Sequence, residues 1–71
     1  MIKNKYYISG TIHMAFDYQA IVLEKREIAA VSQRQALFKL ALELAKQEHL
    51  NTRYIYERIK RSKLHILKGG H

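Results

Sequence analysis

The sequence predicts an α+β fold, a small ββαβ two-layer sandwich in which one helix packs on one face of an antiparallel sheet. Two alternating segments near the N-terminus, a helically spaced segment in the middle and a β-rich segment near the C-terminus predict this order. The chain has 71 residues, and we assign residues 1–68 to a single domain. Residues 69–71, Gly-Gly-His, are predicted to be a flexible tail, and whether they are native or the remnant of a purification tag stays open.

The first predicted element is a long strand with one buried face. From Tyr6 to Phe16 every second residue is apolar or glycine, which is the period of a half-buried strand. Gly10 lies in the middle of this run and predicts a bend, a bulge or a close backbone approach. A turn is expected at Asp17, where the alternation stops.

The second predicted strand runs from Ala20 to Val31. Its alternation changes phase in the charged stretch Glu24 to Arg26, because Ile21 and Ile28 fall on opposite faces in simple counting. One inserted residue would bring both to the same face, so a β-bulge is expected there.

A capping box predicts the start of the helix: Ser32 can accept from the backbone N–H of Gln35, whose side chain can return the bond. The helix should end near His49 or Leu50, with Asn51 as terminator. Helical spacing assigns the core stripe to Leu37, Leu40, Ala41 and Leu44. Phe38 and Leu42 lie beside that stripe, so they either widen the core or form a dimer or partner contact.

The last segment is predicted as a strand from Arg53 to Lys60, a turn, and a short strand from Leu64 to Leu67, because it is rich in β-branched and aromatic residues. A helix stays the alternative for the whole segment, since Ile55, Ile59 and Ile66 also approximate one helical stripe, with Ser62 between them. In the strand interpretation, the sheet face opposite the helix carries Tyr7, Thr11, His13, Tyr54, Tyr56 and Arg58.

Charge is concentrated near the C-terminus. The formal net charge is +7, from 13 Lys and Arg against 6 Asp and Glu. Residues 1–50 hold seven cations and five anions, whereas residues 51–71 hold six cations and one anion. A basic domain of this kind attracts anions, of which nucleic acid is the commonest, although charge of this size also serves ordinary solubility.

The leading prediction is therefore a non-catalytic nucleic-acid-binding protein, with RNA favoured over DNA. Cationic side chains would neutralise phosphates, and tyrosines on an open sheet would stack on unpaired bases. The predicted contacts are Arg53, Tyr54, Tyr56, Arg58, Lys60, Arg61 and Lys63. For each tyrosine taken alone, a half-buried sheet residue with a wet hydroxyl is the better explanation.

The competing prediction is a small protein-binding adaptor or inhibitor module, of the type found in phages and mobile elements. A sheet edge could accept a partner strand. Phe38 and Leu42 could instead close a homodimer across two helices.

Other classes of function have little support in the sequence. No nucleophile and base occur in a known catalytic spacing, the four histidines have no metal-ligand spacing, and no cofactor motif is present, so catalytic residues, metal and cofactor are all predicted absent. There is no cysteine, no signal-peptide pattern and no apolar run of membrane-spanning length, and we expect a cytoplasmic protein without membrane contact.

The stretches "YYISGTI", "EIAAVSQRQAL" and "TRYIYERIKRSKLHIL" follow one another in an order that resembles the archaeal ribosomal protein LX and its eukaryotic relatives. That family has a glycine-containing strand, a second strand, a polar-capped helix and a basic final strand. Its basic turn after the helix is replaced here by "EHLNTR". The resemblance implies an RNA partner and carries no individual site residues over.

Overall fold

The computed structural model describes residues 3–14 and 20–69. These residues form β1 (Asn4–Ile12), β2 (Ile21–Ala30), α1 (Gln33–Glu48), α2 (Thr52–Arg61) and β3 (Leu64–Gly69). The three strands form one antiparallel sheet in the order β2-β1-β3. The mixed α+β class is thus confirmed, but the order is ββααβ, with two helices where one was predicted. The predicted turn at Asp17 and the strand end at Phe16 lie outside the described residues.

The segment predicted as a strand from Arg53 to Lys60 is the helix α2, so that prediction was wrong. The helical alternative, which extended to Ile66, is right only up to Arg61, because the predicted strand from Leu64 to Leu67 is present as part of β3. The side chain of Asn51, expected to terminate α1, instead accepts a bond of 3.2 Å from the backbone N–H of Tyr54 and caps α2. Ile55 and Ile59, one turn apart, are both buried. This cap and this packing outweigh the β propensity of the segment, which is a weak and context-dependent preference.

Helix α1 begins and ends close to the predicted positions. Ser32 Oγ accepts from Gln35 N at 3.1 Å, while Gln35 Oε1 accepts from Val31 N at 2.8 Å, so the expected capping box reaches back one residue further. His49 closes the helix in the left-handed conformation, at φ 56°, and its backbone N–H donates to the Ala45 carbonyl.

The β-bulge expected at Glu24 to Arg26 is confirmed. Ile8 pairs with Arg26 while Gly10 pairs with Leu23, so β2 uses one more residue than β1 across this step. The insertion places Leu23 and Ile28 on the same buried face.

Gly10, opposite the bulge, has a φ of 128°, and a Cβ built there would lie 3.0 Å from Leu64 Cδ2 and 3.3 Å from the Lys63 carbonyl oxygen. A glycine is therefore required both by the backbone conformation and by the close approach of β3.

One core lies between the inner face of the sheet and the two helices. Its largest fully buried side chains are Ile8 and Ile12 of β1, Leu40 and Leu44 of α1, and Ile55 of α2. The predicted stripe of α1 is buried except for Leu37, which is partly buried at the core's margin. The strand β3 closes the sheet beside β1 and extends to Gly69, one residue into the segment predicted as a tail.

Candidate functional site

Helix α2 has a core side and a solvent side, and the solvent side is basic. Ile55 and Ile59 point into the core, which at 100° per residue turns Arg53, Lys60 and Arg61 outward. All three are exposed, as is Lys63 in the connection to β3. We call these four residues the α2 basic face.

The α2 basic face is weakly compensated by negative charge. Lys60 Nζ lies 3.1 Å from Glu57 Oε1 on the same helix, an exposed pair of small energetic value. Within residues 3–14 and 20–69, Arg53, Arg61 and Lys63 pair with no carboxylate. Their charge is therefore available to an anionic ligand.

Charges of the first two strands and of α1 are more often paired. Lys5 lies 3.8 Å from Glu27, and Arg26 lies 3.8 Å from Glu43. Lys39 Nζ donates to the Ala29 carbonyl at 2.8 Å. The excess positive charge read from the sequence thus remains concentrated on the C-terminal part of the fold.

Arg58 differs from the other predicted phosphate contacts on α2, because it is half-buried and bonded to another element. Its Nε donates to the His13 carbonyl at 2.8 Å, and this contact joins the helix to the end of β1. Ser62 reinforces the junction, because its Oγ donates to the Arg58 carbonyl at 2.8 Å and accepts from His13 N at 3.3 Å. Arg58 therefore has a structural role in this fold, whatever else it contacts.

Tyr54 and Tyr56 were expected on the open face of the sheet, and that placement was wrong. Both are on α2, half-buried and packed against the core. The ring of Tyr56 meets Phe38 of α1 in a T-shaped arrangement, with centroids 5.7 Å apart and an interplanar angle of 81°. Lys60, one turn further along the same face of α2, has its Nζ 5.0 Å from the Tyr56 ring centroid.

The contact between Phe38 and Tyr56 brings together two predicted sites. Tyr56 was predicted to contact nucleic acid, and Phe38 was predicted to contact a partner or a second copy of the chain. Phe38 is 47% exposed, and together with Tyr56 it lines a shallow cleft of about 440 Å³ between the helices. We call this the aromatic cleft; it is lined by Ser32, Arg34, Gln35, Phe38 and Tyr56. Leu42 is 41% exposed one turn further along α1 and lines a separate depression beside Lys39 and Glu43.

Sequence reasoning missed the aromatic cleft because it placed Tyr56 on a strand. The available signal was Asn51 followed by Ile55 and Ile59, which together describe a capped helix with a buried stripe. With α2 recognised as a helix, Tyr56 falls on the flank between the core and Lys60.

Among residues 3–14 and 20–69, the open face of the sheet presents no free aromatic surface for stacking. Tyr7 lies there as expected, but Lys25 Nζ is 5.0 Å from its ring centroid. A Cβ at Gly69 would lie 2.6 Å from Tyr7 Cε2, so the ring also covers the end of β3. Thr11 shares this face as predicted, whereas His13 lies past the end of β1.

Among the described residues there is neither a cluster of metal-binding side chains nor a helix that could span a membrane. Residues 3–14 and 20–69 contain no group of three or more histidine or acidic side chains placed to hold a metal ion. No helix in that part of the chain is both long enough and apolar enough to cross a membrane.

Comparison of the chain with protein-family models, with curated proteins and with solved structures gave no match.

Proposed function

We propose that this protein is a non-catalytic nucleic-acid-binding domain, with RNA favoured over DNA, and that the α2 basic face is its contact with phosphates. The observation that carries the proposal is the exposure of Arg53, Arg61 and Lys63 without a carboxylate partner among the described residues. Phosphate neutralisation by such side chains releases counterions and gives affinity for any sequence.

The proposal assigns the predicted contacts unequal roles. Arg53, Lys60, Arg61 and Lys63 would bind phosphates. Arg58 holds the end of α2 against β1 through His13. Tyr54 and Tyr56 support the basic face from the core side rather than forming a stacking surface of their own.

The salt dependence of binding tests the proposal. Each phosphate contact with a single strand contributes about 0.7 to the slope of log affinity against log salt, so four contacts predict a slope near −3 and a loss of roughly 50-fold between about 50 and about 200 mM salt. A labelled single-stranded oligonucleotide, followed by fluorescence anisotropy, gives this slope.

The matched comparison uses two double variants that each remove two cations. Arg53→Ala with Arg61→Ala should weaken binding to all sequences alike and make the slope shallower by about 1.4. Lys3→Ala with Lys46→Ala removes the same charge from exposed positions outside α2 and should retain most of the affinity. Equal losses in the two double variants would show a diffuse charge effect and contradict a site on α2.

A second candidate function is self-association or protein binding, in the sense of an adaptor or inhibitor module. The exposure of Phe38 and Leu42 on neighbouring turns of α1 favours it. In that case the protein would sediment as a dimer or with a partner, and Leu42→Glu would release the monomer without changing affinity for oligonucleotides.

A further inference from the structure

The aromatic cleft has the features of a site for an unstacked nucleobase, and we infer that it binds one base of a single strand whose phosphates lie on the α2 basic face. This inference rests on the proposed function and deepens it, since it makes the ligand single-stranded rather than duplex. It also gives Phe38 a role in ligand binding instead of partner contact.

Aromatic surface is available at the cleft. Phe38 is 47% exposed, and its ring packs against Tyr56 in the T-shaped arrangement with centroids 5.7 Å apart. A ring that already has a packed neighbour loses less side-chain freedom when it stacks on a base. Because every base has a π-face, the contact tolerates any sequence.

The rim of the cleft complements an anionic, carbonyl-bearing ligand. Ser32 Oγ and Gln35 Oε1 already accept backbone N–H bonds, which leaves the Ser32 hydroxyl proton and the Gln35 amide as donors. Arg34 supplies a guanidinium, and none of the described residues that line the cleft is a carboxylate. Base carbonyl oxygens and phosphates are suitable acceptors for these groups.

The cleft is continuous with the α2 basic face. Arg53, Tyr56 and Lys60 are three and four residues apart, so they form one strip along the helix. Lys60 Nζ is 5.0 Å from the Tyr56 ring, and Tyr56 in turn contacts Phe38. A strand that follows this strip brings a base to Phe38 while its phosphates remain near Arg53 and Lys60.

Substitution of Phe38 separates stacking from charge. Phe38→Leu keeps an apolar side chain but removes the ring, and it should weaken binding to oligo(rU) and oligo(dT) by about 5- to 150-fold. Binding to heparin, a polyanion without bases, should stay the same. Leu42→Ala is the matched control, because Leu42 is similarly exposed on α1 but lies outside the cleft.

A direct optical readout is available because the chain has no tryptophan. Phe38→Trp keeps an aromatic ring in the cleft and should retain oligonucleotide binding. Its single indole emission should be quenched by oligo(rU) or oligo(dT) and left unchanged by heparin. Tighter binding of oligo(rU) than of oligo(dU), which differ only in the 2′-hydroxyl, would indicate RNA as the source of the base, and the reverse order would indicate DNA.

These experiments distinguish failure of the base site in the aromatic cleft from failure of phosphate binding by the α2 basic face. If Phe38→Leu binds oligonucleotides as tightly as the wild type while Arg53→Ala with Arg61→Ala loses affinity, the base site is wrong and the phosphate face stands. A Phe38→Leu effect on dimerisation, without any on oligonucleotide binding, makes the cleft a protein contact and overturns the inference. If the wild-type protein binds none of oligo(rU), oligo(dT) and heparin, both the base site and the phosphate-binding face are wrong.

Discussion

Two side chains at the end of α2, Arg58 and Ser62, connect the helix to β1 by hydrogen bonds. Arg58 and Ser62 both bond to the backbone of His13, at 2.8 and 3.3 Å. A cation that looks like a phosphate contact in the sequence is in this way part of the junction between a helix and a strand. Arg58→Ala is therefore a poor test of binding, because it removes a structural bond as well as a charge.

Substitution of Gly10 tests whether its backbone conformation requires a glycine. Gly10→Ala places a Cβ at a φ of 128°, 3.0 Å from Leu64, and should lower the free energy of unfolding by about 1–3 kcal/mol. Ser9→Ala, at the neighbouring position on the open sheet face, should change it by less than about 0.5 kcal/mol. Urea denaturation followed by circular dichroism measures both, and equal stability of the two variants would contradict the strained conformation at Gly10.

At the scale of elements, the sequence predicted β1, β2, α1 and the start of β3 because each has a local signal. The phase change at Glu24 to Arg26 even located the bulge in β2. Residues 52–61 were misassigned because β propensity and helical spacing conflict there. Burial of Ile55 and Ile59 against the rest of the fold decides between them, and such tertiary packing leaves little trace in local composition.

Substitution of the capping residue Asn51 tests whether residues 52–61 form a helix. Asn51→Ala removes the side chain that accepts from Tyr54 N and should destabilise the protein by about 1 kcal/mol, with a lower helical signal in circular dichroism. Asn51→Asp keeps the acceptor at the helix N-terminus and should preserve stability. Were residues 52–61 a strand, neither the loss nor its rescue by aspartate would occur.

At the scale of the whole molecule, topology decides which predicted site residues come together. The ββααβ order places α2 beside α1, so that Tyr56 reaches Phe38, eighteen positions away in the sequence. The charge asymmetry and most of the proposed contact residues could be predicted from the sequence. It could not supply the cleft, because that surface depends on the packing of two helices.

We propose that the α2 basic face and the adjoining aromatic cleft form one surface for a nucleic-acid strand. Amide chemical shifts of ¹⁵N-labelled protein, recorded during titration with oligo(rU), test it most directly. We predict that the largest changes lie in residues 52–63 and in the first turns of α1 around Arg34 and Phe38. Changes centred instead on the edge of β2 or on the sheet face around Tyr7, or no changes at any residue, would contradict the claim.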